Sequence, residues 1–267
     1  MDKKQEQILN ERAMEVLEMY PMPMMSFTTA PGPTHDIKSL LGLRNYSFPG
    51  VAIDIGANVG AFSIVVAQHF DKIMAYEPVK KTYKTLKSNL ERFNLHNVET
   101  YNLAVGKKDK EKVRLFVPED DAYSGDASAF YEVHSNGHYE EVETICLESI
   151  LEKIEGAPYI HLKVDCEGAE YNFLLDKDLS RIDSLSIELH GDLTKQKKIA
   201  EHLDKYFYLE RACPDLVNFF AVRKVMNKNY PHVPPKRAFW KKGQDLIDYK
   251  KPFGVTFAQA VERKERK

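Results

Sequence analysis

The feature that most constrains this 267-residue chain is a regular alternation that begins at Val51. The run Val51-Ala52-Ile53-Asp54-Ile55 is short and apolar and stops at Gly56. An apolar helix is expected over Ala61–Phe70, a strand over Lys72–Tyr76 and a helix over Val79–Phe93, with Tyr83, Leu86, Leu90 and Phe93 at helical spacing. A third strand is expected over Val98–Leu103. Strand, helix, strand, helix, strand specifies an α/β fold with a mostly parallel sheet and helices on both faces. Further on, strands are expected at Lys112–Val117, Glu141–Cys146, Tyr159–Val164 and Leu185–Leu189. Helices are expected at Leu147–Ile154, Gly168–Leu175 and Ile199–Tyr206, and Phe207–Arg211 with Asn218–Arg223 closes as an antiparallel hairpin. Glu119–Asn136, rich in Ser, Gly, Asp and Ala, reads as a long loop, and loops of that length in compact domains are usually functional or disordered.

Composition narrows the class. With 38 basic and 40 acidic residues the net charge is −2, which excludes a uniformly basic nucleic-acid coat. Cys146, Cys166 and Cys213 are far apart and form no CxxC pair, so a disulfide framework or zinc ribbon is not expected. The N-terminus MDKKQEQILNERAMEV carries charge where a signal peptide needs an apolar core, and no long uncharged apolar stretch occurs. These features together lead to the expectation of a soluble, cytoplasmic protein without a membrane span. The chain divides into a helical extension over 1–50, a main domain over 51–225 and an extension over 226–267 with 11 basic and 4 acidic residues. In the N-terminal extension helices are expected around Leu9–Tyr20 and Asp36–Leu43. Its role is packing or a lid; the tail is a solvated or docked extension, or a contact for an anionic partner.

Five strand ends carry the candidate chemistry. Asp54-Ile55-Gly56-Ala57-Asn58-Val59-Gly60 joins a strand to a helix. Glycine lets backbone approach a ligand there, and the helix start offers free N–H groups. A dinucleotide fingerprint, G-x-G-x-x-G, would place glycine where Asn58 stands, so a nicotinamide dehydrogenase is disfavoured. Glu77 ends the second strand, placed to accept both hydroxyls of a ribose. Asn102, at the third strand end, is a candidate base contact. In His161-Leu162-Lys163-Val164-Asp165 the polar residues alternate onto one face of a probable central strand, where a buried parallel strand is normally apolar. Asp165 and Glu167 sit at the carboxyl end, where open α/β sheets bind ligands. A buried Lys163–Asp165 pair that only holds structure is the alternative. His190, closing another strand after Glu188, is a base candidate at the same rim or an ordinary surface histidine.

Together, DIGANVG (54–60), Glu77-Pro78 and Leu162-Lys163-Val164-Asp165-Cys166-Glu167-Gly168-Ala169-Glu170 resemble the FkbM family of S-adenosylmethionine-dependent methyltransferases. Glu143–Leu151 and Ser124-Gly125-Asp126-Ala127-Ser128 fit the same family, and the resemblance runs from about Val51 to Arg223. Cys166 stands where the family usually has an aliphatic residue, and Glu148 where it usually has Asp. The resemblance implies a class I Rossmann-like methyltransferase fold and O-methylation of a sugar, glycan or natural product. On that expectation Asp54, Gly56, Asn58, Gly60, Glu77 and Asn102 contact S-adenosylmethionine, with Asp126 and Ser128 on the adenine or substrate side. Asp165, Glu167 and His190 orient the acceptor or act as base, and Lys163 steadies Asp165 or a developing alkoxide. No metal is required by the spacing, although Asp165 and Glu167 are of a type that can hold Mg²⁺. Two other readings stand beside this one. The basic tail, with Tyr230, Phe239, Trp240 and Tyr249, would suit RNA, making the chain an RNA ribose methyltransferase. A non-catalytic nucleoside-cofactor-binding module would keep the fold without turnover. Oligomeric state is not readable.

Overall fold

The computed structural model describes residues 48–119, 127–129, 136–190, 193–211 and 218–223. The extensions over 1–47 and 224–267, with the helices and basic tail expected there, and Asp126 in the loop all lie outside the described residues.

Seven strands make the main sheet. They are β1 (Phe48–Ile55), β2 (Phe70–Tyr76), β3 (Val98–Tyr101), β7 (Ile160–Val164), β8 (Ser184–Glu188), β9 (Phe207–Arg211) and β10 (Asn218–Arg223), in the order β3-β2-β1-β7-β8-β10-β9. The first five run parallel, and β10 is antiparallel to both of its neighbours. The expected parallel sheet with a C-terminal hairpin is therefore present, with β10 inserted between β8 and β9. The chain changes direction across the sheet between β1 and β7, the kind of switch point at which ligands bind.

Strand alternation explains the layers. Ile53, Ile55, Met74, Tyr76, Leu162, Val164 and Leu185 pack with residues of α3 (Leu147–Glu152), α4 (Glu170–Leu174) and α5 (Leu193–Leu203). On the opposite face Ala52, Ile73 and Ala75 meet α1 (Ala61–Val66) and α2 (Lys80–Arg92) through Phe62, Val66, Leu86 and Leu90. Every residue of β7 is buried, as a central strand requires. The α2 helix ends at Asn94, whose φ of 53° turns the chain left-handed; Asn94 N–H then bonds Glu91 and Leu95 N–H bonds Leu90. That is a Schellman closure, and it returns the chain toward β3.

The structure redraws several boundaries. The first helix stops at Val66, followed by a 3₁₀ turn at Ala67–His69, because Phe70 is extended and pairs with Phe48. The α5 helix starts at Leu193 rather than Ile199, with Gln196, Ile199, Ala200 and Leu203 on its buried side. The expected third strand ends early, at Tyr101. Just beyond its expected end a further strand, β4 (Ala104–Gly106), leaves the main sheet and pairs with β6 (Gly137–Cys146). With β5 (Lys112–Pro118) these form a separate three-stranded sheet, β4-β6-β5. Within the expected loop, Ser128 bridges to Phe116 on β5. No helix among the described residues is long and apolar enough to cross a membrane.

Candidate active site

The site is built where the carboxyl ends of β1, β2 and β7 face the small sheet. Gly56 at the end of β1 has φ 72°, and a Cβ there would lie 1.7 Å from the Asp165 carbonyl oxygen. The glycine is required by the β7 backbone, so its first task is to let two strand ends close. Gly60 (φ 94°) caps α1, and a Cβ there would meet Leu86 of α2 at 2.6 Å. Both glycines therefore have a packing task, and Gly56 also lines the cavity described below. Asn58 adopts φ 50°, an unusual backbone for a non-glycine residue, and its Oδ1 is buried without a hydrogen-bond partner. Asn89 on α2 donates to the Val59 carbonyl and pins the loop from below.

Glu77 follows β2 and is almost fully buried. One carboxylate oxygen accepts the Asn58 N–H at 2.9 Å and the other accepts the Val79 N–H at 2.9 Å. Burial pushes its pKa up to about 7, opposed by those two hydrogen bonds and by Lys163. A carboxylate offers about four lone-pair positions, so one on each oxygen remains for a ligand's hydroxyls. Asn102 donates its amide to the Glu77 and Pro78 carbonyls at 2.9 and 2.7 Å. It holds the strand-end loop and does not line the cavity beside Glu77.

That cavity is walled by Gly56, Asn58, Glu77 and Val79 on one side and by Asp165, Cys166 and Glu167 on another. Leu103, Val105, Val113, Leu115 and Ala127 give it an apolar far wall from the small sheet and the loop. Five of the residues expected at the site thus share one cavity: Gly56, Asn58, Glu77, Asp165 and Glu167. Of the others, those among the described residues support it from behind or from the rim. Asp54 is fully buried; Ser63 Oγ donates to its Oδ2 at 2.7 Å, and Lys163 Nζ lies 3.2 Å from its Oδ1. Lys163 pairs directly across the ladder from Asp54 and also donates to the Gly56 carbonyl at 2.6 Å. Asp165 is more distant, at 3.9 Å. Burial disfavours the Lys163 charge, but Asp54 and Asp165 outweigh it and raise its pKa. The third polar residue on this face, His161, lies between Phe62 and Phe70, with Nδ1 2.6 Å from Ser184 Oγ. Burial depresses its pKa to about 3, so it is a neutral core histidine. Ser128 does not itself line the cavity, but its Oγ donates to the Glu167 carbonyl at 2.6 Å and fastens the loop to the rim.

His190 is at the rim beside Glu167. Its Nδ1 is 2.6 Å from Glu170 Oε1, and its Nε2 is 3.3 Å from Glu167 Oε2 and 4.0 Å from Glu188 Oε1. Burial alone would lower its pKa, yet the Glu167 and Glu170 carboxylates push it up to about 12. Glu188 is raised to about 8 by burial and by the neighbouring Asp165 charge. Ligand atoms of Asp165, Glu188 and His190 lie within 4.8 Å of one another, but both His190 nitrogens already face carboxylates. Sequence patterns did not single out Glu170 and Glu188 as site residues. Their only signal is position: Glu188 shares a strand face with His190, and Glu170 lies one helical turn beyond Cys166.

A sequence profile described as the methyltransferase FkbM domain matches residues 54–217. Methyltransferase 1 of Beauveria bassiana (strain ARSEF 2860) is 25% identical over 201 residues, covering 64% of this chain and 80% of that protein. Among solved structures, a methyltransferase FkbM from Methylobacillus flagellatus KT matches 80% of this chain at 17% identity, with a TM-score of 0.42. This chain spans 57% of the length of that protein. A tRNA methyltransferase, TrmI, from Aquifex aeolicus matches 82% of this chain and 76% of its own, at 18% identity and a TM-score of 0.43. With the profile covering more than half of its residues and the expected strand-end groups gathered at one cavity, this chain belongs to the FkbM methyltransferase family.

Proposed function

We propose that the chain is an S-adenosylmethionine-dependent O-methyltransferase acting on a hydroxyl of a sugar, glycan or natural product. One observation carries the reading. A buried carboxylate, Glu77, and an acidic rim, Asp165 with Glu167, face each other across one cavity with apolar walls. The orphaned Asn58 Oδ1 and the two open positions on Glu77 suit a ribose and its neighbouring polar atoms. The apolar wall from Leu103 to Leu115 suits an adenine ring.

When bound, S-adenosylmethionine supplies a methyl group on a cationic sulfur. The chain's own residues hold the acceptor hydroxyl in line with it and receive its proton. As the acceptor's C–O bond forms, the methyl–sulfur bond breaks and its electron pair returns to sulfur. Asp165 is the proton acceptor we favour, because it lines the cavity and its Oδ2 lies as far as 3.9 Å from Lys163 Nζ. Such a base typically contributes about 10²–10⁴-fold. Asp54 and the Gly56 carbonyl hold Lys163 in place, so it fixes the charge balance behind Asp165. The carboxylates around the cavity favour an uncharged hydroxyl acceptor over a phosphate-rich one.

The test is calorimetric titration with S-adenosylmethionine, with NAD as control, followed by transfer of a labelled methyl group to panels of glycans, polyketides and RNA. Binding of S-adenosylmethionine alone with label on a sugar or polyketide oxygen is expected. Label appearing only in RNA, or no cofactor binding by the folded protein, overturns the reading.

A further inference from the structure

Glu170 has no exposed surface, although it is an acidic residue in the first turn of a five-residue helix. A buried carboxylate without compensation is expensive, so its partners explain its presence. A single oxygen, Oε1, accepts both the His190 backbone N–H at 2.9 Å and the ring Nδ1 at 2.6 Å. The end of β8 and its side chain are thereby fixed to α4 at two points. Tyr171, the next residue of α4, donates its hydroxyl to the His190 carbonyl and adds a third. The ring is left with one free direction. Its Nε2 faces Glu167 Oε2 at 3.3 Å, and Glu167 lines the cavity.

Carboxylates accept hydrogen bonds and do not donate them. With a carboxylate on each nitrogen, the ring satisfies both only when both nitrogens carry hydrogen. We propose that Glu170 is a positioning residue that holds His190 as a two-sided hydrogen-bond donor, so that the ring orients the cavity-lining carboxylate of Glu167 and does not act as a base. The inference rests on the assignment of this cavity as the methyl-transfer site for its functional meaning, but the state of the ring does not depend on that assignment. Among the described residues, the charged groups beside the ring are Asp165 and Glu167 in the β7–α4 turn, Glu170 on α4 and Glu188 on β8, with the Tyr171 hydroxyl on the His190 carbonyl. Lys163 on β7 stands 3.9 Å from Asp165. Burial of the ring would favour its neutral form. The carboxylates outnumber that effect, in keeping with the raised pKa of His190.

The experiment is ¹⁵N NMR of the histidine side chains in the full chain from about pH 6 to about pH 9, a range that an ordinary histidine crosses or borders. His190 is assigned by the signal lost in His190→Gln. In the wild type both ring nitrogens are expected to stay protonated throughout. In Glu170→Gln, where the amide oxygen can still accept but the charge is gone, the ring is expected to lose its second proton within that range. Affinity for S-adenosylhomocysteine is expected to stay within about twofold, since Glu170 does not line the cavity. Retained S-adenosylhomocysteine binding by Glu170→Gln shows an intact fold, so that a changed ring then reports the lost Glu170 charge. A wild-type ring that titrates near the ordinary histidine value overturns the proposal, and so does a Glu170→Gln ring that behaves as in the wild type. If Glu170→Gln fails to fold, the wild-type spectrum decides by itself. Loss of S-adenosylhomocysteine binding in the wild type would instead strike the functional reading and leave the ring result standing.

Discussion

On the proposed function, Glu77 should couple cofactor affinity to pH, and the size of the effect follows from its burial. The carboxyl has an ordinary value of 4.5 and is pushed up to about 7 in the fold. The sign is the reverse of that for a salt-bridged acid. The folded chain holds the proton more tightly than the unfolded chain does, so stability falls as pH rises from 4.5 to about 7. Above that window the ionised carboxylate costs about 3 kcal/mol, at about 1.4 kcal/mol per pH unit. A ligand whose ribose hydroxyls donate to both oxygens repays that cost by stabilising the ionised form. Binding must therefore weaken as pH falls below about 7. At about pH 5.5 the ionised fraction is roughly one thirtieth, so the affinity for S-adenosylhomocysteine is expected to be about 30-fold lower than at about pH 8.5. Calorimetry across that range, in buffers of different ionisation heat, should also show about half a proton released per ligand bound near pH 7. Glu77→Gln should bind weakly at every pH, lose the pH dependence, and be more stable than wild type at about pH 8. Equal pH dependence in the wild type and Glu77→Gln would refute the argument, because the titrating group would then lie elsewhere.

The other predictions concern what holds the site together. Gly56→Ala places a Cβ 1.7 Å from the Asp165 carbonyl and should cost more than about 4 kcal/mol, read as failure to fold or a collapsed melting temperature. Gly156→Ala, also at positive φ but with nothing within 4 Å, should cost only about 1–2 kcal/mol by the same assay. Lys163→Met leaves Asp54 buried without its cation and should destabilise by about 3–5 kcal/mol in urea unfolding; Lys163→Arg is too large to be neutral there. A chelator should leave S-adenosylhomocysteine affinity and methyl transfer unchanged, because both His190 nitrogens are committed to Glu167 and Glu170. Restoration of lost activity by added Mg²⁺ would contradict this.

The parallel part of the fold was legible because its signals are local. Val51–Ile55 and Lys72–Tyr76 are apolar runs bounded by turn residues, and Glu77 falls at the end of β2 where such a run must stop. The small sheet was less legible. Nothing local tells Ala104–Gly106 to leave the main sheet, since its partner is Thr144–Cys146, far along the chain. The glycines show how a motif can be read correctly in place and differently in cause. Gly56 is demanded by the Asp165 carbonyl, a contact that sequence spacing does not reveal. Polarity on β7 was equally ambiguous. The same alternating pattern contains His161, which the structure buries among Phe62, Phe70 and Ser184, and Asp165, which faces the cavity. Depth along the strand separates them, and depth is set by the neighbouring strands. His190 drew notice as a lone polar residue, but its character comes from Glu170 and Glu167, and only tertiary proximity supplies those charges.

The insertion of β10 between β8 and β9 has a consequence for the chain as it is made. A ribosome delivers β1 and β2 early, but the second edge of β1 stays open until Ile160–Val164 emerge, more than a hundred residues later. β9 has no neighbour in this sheet until Asn218–Arg223 arrives to fill the gap beside it. The nascent protein must therefore carry an unpaired edge of β1 while more than a hundred further residues are made. Long-range parallel pairing of this kind is slow and exposes chains to aggregation. Substitutions that weaken β10 should accordingly reduce soluble yield during expression more than they reduce the stability of protein that has already folded.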